Sequence, residues 1–478
     1  MEHRIVLVNL PLADVSKTPF FVMPIGVMAV GAYIKAEGNS VDLLDMNVIK
    51  RNVGREAMLP EIYDRVREVQ PTMVGLSVMI AGQFKLAREI CKRVKEIFPK
   101  ATTVLGGAHV SQFPEKILEN CPEIDFVVIG EGETQALACA QYAKTRQAPH
   151  SWPDRLAHRL PSHEPKNFSF IDVNATPFPG YDLVNFEDYR HDTSTWHNPF
   201  QVDLSLRVPI ITSRGCPNLC NFCSVADSMG FKHRPIAADK VVDMLEILKE
   251  KGAGCFAIFD ANFAEDPSRV INICNQIVKR NLKITLDLPT GLPINATAPA
   301  MIDALAAAGL IRTCISVETG DEYIRNKVML KNVDDLEIYR VVEAIRRHPQ
   351  IFLMTDFVIG MPEDTEESLE NSFQLVVQLD TDDIELAIAT PYPGTKLFEQ
   401  CVRDNLFLPD VDLNRLFDAE WYTHSNLHKF IIKPYNLSLA TLELFKNRIK
   451  ELRSPKIAAY KKRMAQYFSV EAKHTYNY

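Results

Sequence analysis

Three cysteines lie close together near the middle of the 478-residue chain. They are Cys216, Cys220 and Cys223, and they give the spacing C-x3-C-x2-C within the stretch RGCPNLCNFCSV. Thiolates are the soft ligands that hold iron–sulfur clusters or zinc. A structural zinc site normally takes four ligands, often as two separated cysteine pairs, and the sequence contains no second pair. Three thiolates on a four-iron cube leave one iron free to bind a substrate, so the spacing favours such a cluster over chance clustering of reduced cysteines.

The remaining cysteines, the net charge and the apolar runs exclude several classes of protein. The other seven cysteines are scattered singly in apolar stretches, where a reduced, buried thiol is expected. With 53 Lys and Arg against 61 Asp and Glu, the formal net charge is 53 − 61 = −8, which argues against nucleic-acid binding through a cationic surface. No run of 18 or more apolar residues and no secretory signal pattern occurs. The sequence therefore predicts a cytoplasmic protein without a membrane span.

From residue 207 onward, short apolar strands alternate with amphipathic helices. Six such repeats predict a partial (β/α)6 barrel of the TIM type, whose active site lies at the carboxyl ends of the strands. The cysteine motif follows directly after the first of these strands, which places it on the functional face. The six predicted strands are Ile210 to Ser213, Gly254 to Asp260, Ile284 to Leu288, Thr313 to Glu318, Phe352 to Ile359 and Ile384 to Ala389.

The first 147 residues alternate in the same way and predict a doubly wound, Rossmann-like α/β domain, with any ligand beyond the carboxyl ends of its strands. Glycines are frequent at those ends, where a flat cofactor could approach the backbone closely, although tight turns alone are the alternative explanation. We predict a linker over residues 148–206, the barrel over 207–400 and a mainly helical extension over 401–478. The five predicted strands are Ile5 to Asn9, Ser40 to Leu44, Met73 to Val78, Thr103 to Leu105 and Phe126 to Ile129.

The second region resembles the radical S-adenosylmethionine (SAM) superfamily. The signature of that family is C-x3-C-x2-C with an aromatic residue, here Phe222, before the third cysteine. Further stretches match in order: FDANF (259–263), SVETG (316–320), FVIGMPEDTEES (357–368) and TPYPGTKL (390–397). The resemblance implies a [4Fe–4S] cluster whose open iron is chelated by SAM, and reductive cleavage of SAM to a 5′-deoxyadenosyl radical that abstracts hydrogen from unactivated carbon. The residues that it implies for SAM binding are Phe222, Asp260, Glu318 and Phe357.

The N-terminal region resembles the cobalamin-binding domain that precedes the barrel in cobalamin-dependent radical SAM enzymes, including their BchE-like and class B methyltransferase types. The stretches that carry this resemblance are PIGVMAVG (24–31), VGLSVMIAG (74–82), LGGAHVSQFPE (105–115) and DFVVIGEGET (125–134). The classical Asp-x-His-x-x-Gly motif is absent, so we expect cobalamin to bind without an imidazole from that motif and His109 to line the pocket. The residues implied for cobalamin binding are Ser77, Gly106, Gly107, His109, Gly130, Glu131 and Gly132.

Together, the two resemblances imply an enzyme that methylates an unactivated carbon of a small biosynthetic intermediate through methylcobalamin. The implied cofactors are a [4Fe–4S] cluster, SAM and cobalamin, and the implied partner is an electron donor such as flavodoxin or ferredoxin. No residue is assigned a catalytic role, and the stretch DLPTGLPINA (287–296) lacks the Arg that many relatives carry there. One alternative is a non-methylating reaction such as cyclisation, oxidation or dehydration, with cobalamin as an electron relay or absent. Another is a non-enzymatic iron–sulfur or zinc-binding regulatory protein.

Overall fold

The computed structural model of the chain describes residues 4–11, 22–160, 170–191, 203–419 and 429–471. The chain forms two compact units. The first unit comprises Met1–His191, Asp227–Met229 and Asp412–Asn426, and the second comprises Asp192–Ala226, Gly230–Val411 and Leu427–Tyr478. None of the helices in the described ranges is long and apolar enough to cross a membrane.

The first unit is built on a six-stranded sheet. Its strands are β1 (Arg4–Asn9), β2 (Ser40–Asp45), β3 (Met73–Ser77), β4 (Thr102–Gly106), β5 (Phe126–Val128) and β6 (Leu156–His158). The order is β2-β1-β3-β4-β5-β6, with β1 to β5 parallel and β6 antiparallel to β5. The five predicted strands and the doubly wound arrangement are confirmed, since the winding direction reverses between β1 and β3. β6 is unpredicted, because three residues are too few to show an alternating pattern.

Six helices accompany this sheet within the ranges that the structure describes. They are α1 (Ile25–Ala36), α2 (Met46–Val53), α3 (Arg55–Val69), α4 (Phe84–Ile97), α5 (Pro114–Asn120) and α6 (Glu133–Thr145). The sequence predicts helices over Ile25 to Glu37, Met58 to Val69, Gln83 to Ile97 and Glu115 to Glu119, which match α1, α3, α4 and α5 to within a few residues. It predicts neither α2 nor α6. The start of α2 is set by Asp45, whose side chain accepts a hydrogen bond from the backbone N–H of Asn47 and caps the helix. The core between sheet and helices is apolar and includes Ile5, Leu7, Met73, Val104 and Phe126.

Part of the predicted linker is packed onto the first unit. Residues 170–191 contain two short 3₁₀ turns, Tyr181–Leu183 and Phe186–Tyr189. The backbone N–H of Gly180 donates to the carbonyl of Met28 in α1 at 3.0 Å, and the hydroxyl of Tyr189 donates to Asp45 at 2.7 Å within the core. These contacts hold the segment against the helices of this unit. The four predicted domain ranges stay a prediction.

The described residues of the second unit form eight strands. They are β7 (Arg207–Ile210), β8 (Ser213–Arg214), β9 (Arg234–Pro235), β10 (Cys255–Ile258), β11 (Thr285–Leu292), β12 (Leu310–Glu318), β13 (Phe352–Ile359) and β14 (Asp383–Ile388). Six of them form one parallel sheet in the order β14-β13-β12-β11-β10-β7, and β8 with β9 forms a small antiparallel ribbon. The large sheet has β7 and β14 as its two edges, so it is open. The predicted partial (β/α)6 barrel is confirmed.

The first strand of this sheet begins earlier than the sequence suggests. The pattern predicts Ile210 to Ser213, whereas β7 runs from Arg207 to Ile210. The guanidinium Nη2 of Arg207 lies 2.6 Å from the carboxylate of Asp287 in β11, and both side chains are buried. A buried ion pair makes the start of the strand look polar in the sequence, which explains the displaced prediction.

Nine helices lie in the described residues from 203 onward. They are α7 (Val225–Met229), α8 (Ala238–Glu250), α9 (Pro267–Lys279), α10 (Pro299–Ala307), α11 (Asp335–Arg346), α12 (Glu366–Gln378), α13 (Lys396–Arg403), α14 (Leu439–Glu451) and α15 (Arg453–Glu471). The predicted helical C-terminal region is confirmed by α14 and α15. Arg463 in α15 donates to the buried Asp382 at 2.6 Å, which fixes this helix to the residues that precede β14.

Candidate functional site

The three clustered cysteines occupy an irregular loop that follows β8. Gly215 begins the loop with φ of +82°, and a Cβ there would lie only 2.2 Å from the carbonyl oxygen of Lys232. Only glycine therefore fits this position. The next residue, Cys216, donates its backbone N–H to the carbonyl of Gly230 at 3.1 Å. The loop thus leaves the ribbon in a fixed direction.

Backbone hydrogen bonds hold the rest of the cysteine loop. The N–H of Asn221 donates to the carbonyl of Met329 at 3.2 Å, and the N–H of Leu397 donates to the carbonyl of Asn221 at 3.0 Å. The N–H of Cys223 closes a turn onto the carbonyl of Cys220 at 3.2 Å. Two segments that are distant in the sequence therefore hold Asn221, the first of the two residues between the second and third cysteines.

The donor set fits a multi-iron cluster better than a single metal ion. Cys216 and Cys220 are half-buried and Cys223 is exposed. In the part of the chain that the structure describes, no three His, Cys, Asp or Glu side chains are placed to hold one metal ion. Each thiolate on an iron–sulfur cube binds its own iron, so the three sulfurs need not converge on one point. Burial raises the pKa of the Cys220 thiol to about 11, while the charge of Lys331 opposes that shift.

Asp260 lies just after β10, and its carboxylate is engaged inside the protein. The Thr212 backbone N–H donates to Oδ1 at 2.6 Å, and the hydroxyls of Thr212 and Ser213 donate to Oδ2 at 2.6 and 2.7 Å. Asp260 is 1% exposed, and burial raises its pKa while these hydrogen bonds oppose the shift. From the other side, Arg269 donates to the carbonyl of Thr212 at 2.6 Å. These contacts fix Thr212 and Ser213, which lead into the cysteine loop. The predicted contact of Asp260 with SAM stays a prediction.

Glu318 ends β12 in an unusual backbone conformation and is paired with a lysine that the sequence did not single out. Its φ is +71°, a strained value for a residue with a side chain. The ammonium of Lys331 donates to its Oε1 at 2.9 Å, and both side chains are largely buried. Burial alone would lower the pKa of Lys331, but the charges of Glu318 and Cys220 outweigh it and raise that pKa. A lysine that follows a helical turn carries no sequence signal for such a pairing.

The other two predicted SAM contacts lie in different surroundings. Phe222 is half-buried within the cysteine loop itself. Phe357 on β13 is completely buried in the core, next to Glu318 in the strand register. The structure therefore brings Phe222 and the cysteines together on one loop and gives Phe357 a packing role, while their contacts with SAM remain predictions.

The structure brings the residues predicted for cobalamin to one edge of the first sheet. Ser77 and Gly106 are paired neighbours at the carboxyl ends of β3 and β4. Gly107 has φ of +111°, and a Cβ there would lie 2.5 Å from the carbonyl oxygen of Val78. The loop after β5 adds Gly130, Glu131 and Gly132 to the same edge. This edge is where ligands of doubly wound domains bind, and the close backbone approach at Gly107 requires glycine.

His109 differs from its neighbours at this edge because its ring is enclosed. It is 4% exposed, its Nε2 donates to the carbonyl of Phe417 at 2.9 Å, and its ring packs against Phe84 and Phe113. Phe417 comes from the 3₁₀ turn Leu413–Asp418, which belongs to the first unit. The observed role of His109 is to bind this segment, and its predicted contact with cobalamin remains untested.

The enclosed imidazole predicts a loss of stability in mild acid. Burial lowers the pKa of His109 to about 4, below the value of about 6.5 in an unfolded chain. The unfolded chain therefore binds the proton more readily, and stability is lost as the pH falls from 6.5 through 4. When the pH falls from 7 to 5, we expect His109 to lower the free energy of unfolding by about 2 kcal/mol. Urea denaturation at the two pH values measures this change.

Two variants check this assignment. His109→Gln keeps a side-chain donor for the Phe417 carbonyl without titrating, so it should lack this part of the pH dependence. His150→Gln changes an exposed histidine and should behave as the wild type. An unchanged pH dependence in His109→Gln would show that other groups cause it.

Two segments of the chain match known protein families. Residues 11–140 match the B12 binding domain family, and residues 210–376 match the radical SAM superfamily. The first match contains most of the glycine-rich sheet edge, and the second contains the cysteine loop, Asp260, Glu318 and Lys331.

Individual relatives match most of this chain in sequence or share its fold. An uncharacterized methyltransferase of Pyrococcus horikoshii is 26% identical over 425 residues, which cover 86% of each chain. The anaerobic magnesium-protoporphyrin IX monomethyl ester cyclase of Cereibacter sphaeroides is 26% identical over 80% of this chain and 60% of its own length. Among solved structures, the radical SAM methyltransferase TsrM of Kitasatospora setae, with cobalamin and a [4Fe–4S] cluster bound, matches the fold with a TM-score of 0.66 at 20% identity, over 84% of this chain and 76% of TsrM. The chain is therefore an enzyme that carries a B12-binding domain ahead of a radical SAM domain.

Proposed function

We propose that this enzyme methylates an unactivated carbon of a small biosynthetic intermediate. The observation that carries the proposal is the loop of Cys216, Cys220 and Cys223 on the radical SAM domain of a chain that begins with a B12-binding domain. Methyltransferases among the relatives of this chain support it. When bound, a [4Fe–4S] cluster with SAM supplies a carbon radical and cobalamin supplies the methyl group.

The residues of this chain have separate tasks in that function. Cys216, Cys220 and Cys223 would hold three irons of the cluster and would leave the fourth for the amino acid part of SAM. Asp260 fixes the backbone before the loop, through Thr212 and Ser213. A rigid loop matters because a small displacement of a reacting group costs much of the rate.

The first unit supplies a binding edge for the corrin. Its glycines remove side chains where the cofactor approaches, and Ser77 offers a hydroxyl to the cofactor tail. The enzyme also needs an electron donor, and one of the flavodoxin or ferredoxin class fits that requirement.

A cofactor and product assay tests the proposal. The protein is reconstituted anaerobically with iron, sulfide and hydroxocobalamin and is then given SAM and titanium(III) citrate. We expect iron and sulfide near four each per chain, bound corrin, and both S-adenosylhomocysteine and 5′-deoxyadenosine as products. Protein that takes up iron and corrin but releases neither product would refute the proposal.

A second candidate is a reaction without methyl transfer, such as a cyclisation, with cobalamin as an electron relay or absent. The similarity to the anaerobic cyclase favours it. In the same assay this candidate predicts 5′-deoxyadenosine without S-adenosylhomocysteine, so one measurement separates the two functions.

A further inference from the structure

Lys331 is held in one position by its backbone and by its partner. It follows the π-helical turn Ile324–Val328, and the residues on either side, Leu330 and Asn332, have φ of +61° and +53°. Left-handed conformations at two flanking residues with side chains carry strain, which persists where the surroundings demand it. The side chain of Lys331 is 16% exposed, and its ammonium donates to Glu318 at 2.9 Å.

The same turn touches the cysteine loop. The carbonyl of Met329, two residues before Lys331, accepts the backbone hydrogen bond of Asn221, which is the residue after Cys220. Cys220 and Cys223 both lie within electrostatic reach of the Lys331 ammonium. The turn therefore places the buried ammonium of Lys331 near Cys220 and Cys223.

The titratable groups that face this ammonium come from three elements, and each of them is acidic. Glu318 contributes from β12, Asp356 contributes from β13, and Cys220 contributes from the cysteine loop. Only Glu318 is in hydrogen-bond contact with the ammonium among the described residues. Lys331 thus supplies a positive charge to a buried region whose other charges are negative. That region becomes still more negative when the thiols ionise and the cluster takes up an electron.

We propose that Lys331 is a positioning charge for the iron–sulfur cluster, and that its ammonium stabilises the reduced cluster and raises its reduction potential. This inference rests on the proposed function, because it requires a cluster on Cys216, Cys220 and Cys223. Reduction adds one electron from an external donor and makes the cluster more negative by one charge. A fixed cation in a weakly polar interior favours that product, and the partner carboxylate of Glu318 partly offsets the effect.

An EPR-monitored redox titration of the reconstituted protein, without SAM, tests the proposal. Dithionite supplies the electrons. Lys331→Met removes the charge and keeps an unbranched apolar chain, so we expect the ratio of reduced to oxidised cluster at a fixed potential to fall about tenfold, which corresponds to about 59 mV for one electron. Lys331→Arg keeps the charge and should stay close to the wild type.

Two further variants make the test specific. Lys327→Met removes an exposed positive charge four residues away in the same turn and should leave the potential unchanged. Glu318→Gln removes the compensating carboxylate, so it should shift the potential in the opposite direction, towards easier reduction. This variant also serves if Lys331→Met fails to fold.

The outcomes distinguish this inference from the proposed function. A wild-type protein that assembles no cluster removes the proposed function itself. A wild-type cluster whose potential is the same in Lys331→Met and Glu318→Gln overturns the inference alone. Weaker SAM binding by Lys331→Met at an unchanged potential also overturns it, because the lysine would then serve SAM and not the cluster.

Discussion

Replacing Cys216, Cys220 or Cys223 by Ala is expected to abolish reductive cleavage of SAM. The loss should exceed about 100-fold, since that is the upper range for removing only a partner of a metal ligand. In the proposed cluster each thiolate would hold one iron, and the loop contains no Asp or Glu side chain that could replace it. The measurements are iron and sulfide content and the amount of 5′-deoxyadenosine released under strong reductant.

A buried cysteine elsewhere provides the matched control. Cys139 in α6 is fully buried in the first unit, so Cys139→Ala removes a thiol without touching the loop. We expect wild-type iron content and wild-type SAM cleavage in this variant. Unchanged iron and SAM cleavage in all three loop variants would contradict the assignment of the cluster to these cysteines.

The two sheets were predictable because parallel strands are covered on both faces and appear as continuous apolar runs. The strand Phe352–Ile359 is predicted to the residue. β7 is displaced because Arg207 is buried in an ion pair with Asp287, and a pattern of apolar residues does not show that pairing. β6 and the packing of residues 170–191 were missed since both depend on contacts made by short, irregular segments.

The cysteine loop was predictable because all three cysteines lie within eight residues. The role of Lys331 was not predictable, because its partner Glu318 is 13 residues away in the sequence. The two side chains meet at the end of β12, where the strand register is irregular. His109 illustrates the same limit more strongly. Its partner Phe417 is 308 residues away, and no local pattern predicts that a turn from the C-terminal part of the chain belongs to the first unit.

Replacing Asp260 by Ala is expected to lower both stability and cluster content. The change leaves three buried donors without their acceptor, namely the N–H and hydroxyl of Thr212 and the hydroxyl of Ser213. A buried donor without a partner costs about 1–3 kcal/mol, and the hydroxyls can turn towards other acceptors, so we expect a loss of about 3 kcal/mol in the free energy of unfolding. Freed from this anchor, the backbone before Cys216 no longer holds the loop, and iron per chain should fall to less than half of the wild-type content. Urea denaturation and iron analysis after reconstitution measure the two effects.

Asp266 supplies the control, because this exposed residue caps α9 close to Asp260 in the sequence and makes no contact with Thr212 or Ser213 among the described hydrogen bonds. Asp266→Ala should cost about 1 kcal/mol through the lost cap and leave the iron content unchanged. Asp260→Asn separates the anchoring role from the predicted contact with the ammonium of SAM. Its amide places a donor where Oδ1 or Oδ2 accepts hydrogen bonds, so an anchoring role predicts a loss of iron even before SAM is added. Full iron content in Asp260→Asn together with a raised KM for SAM would instead assign Asp260 to SAM binding and contradict the anchoring role.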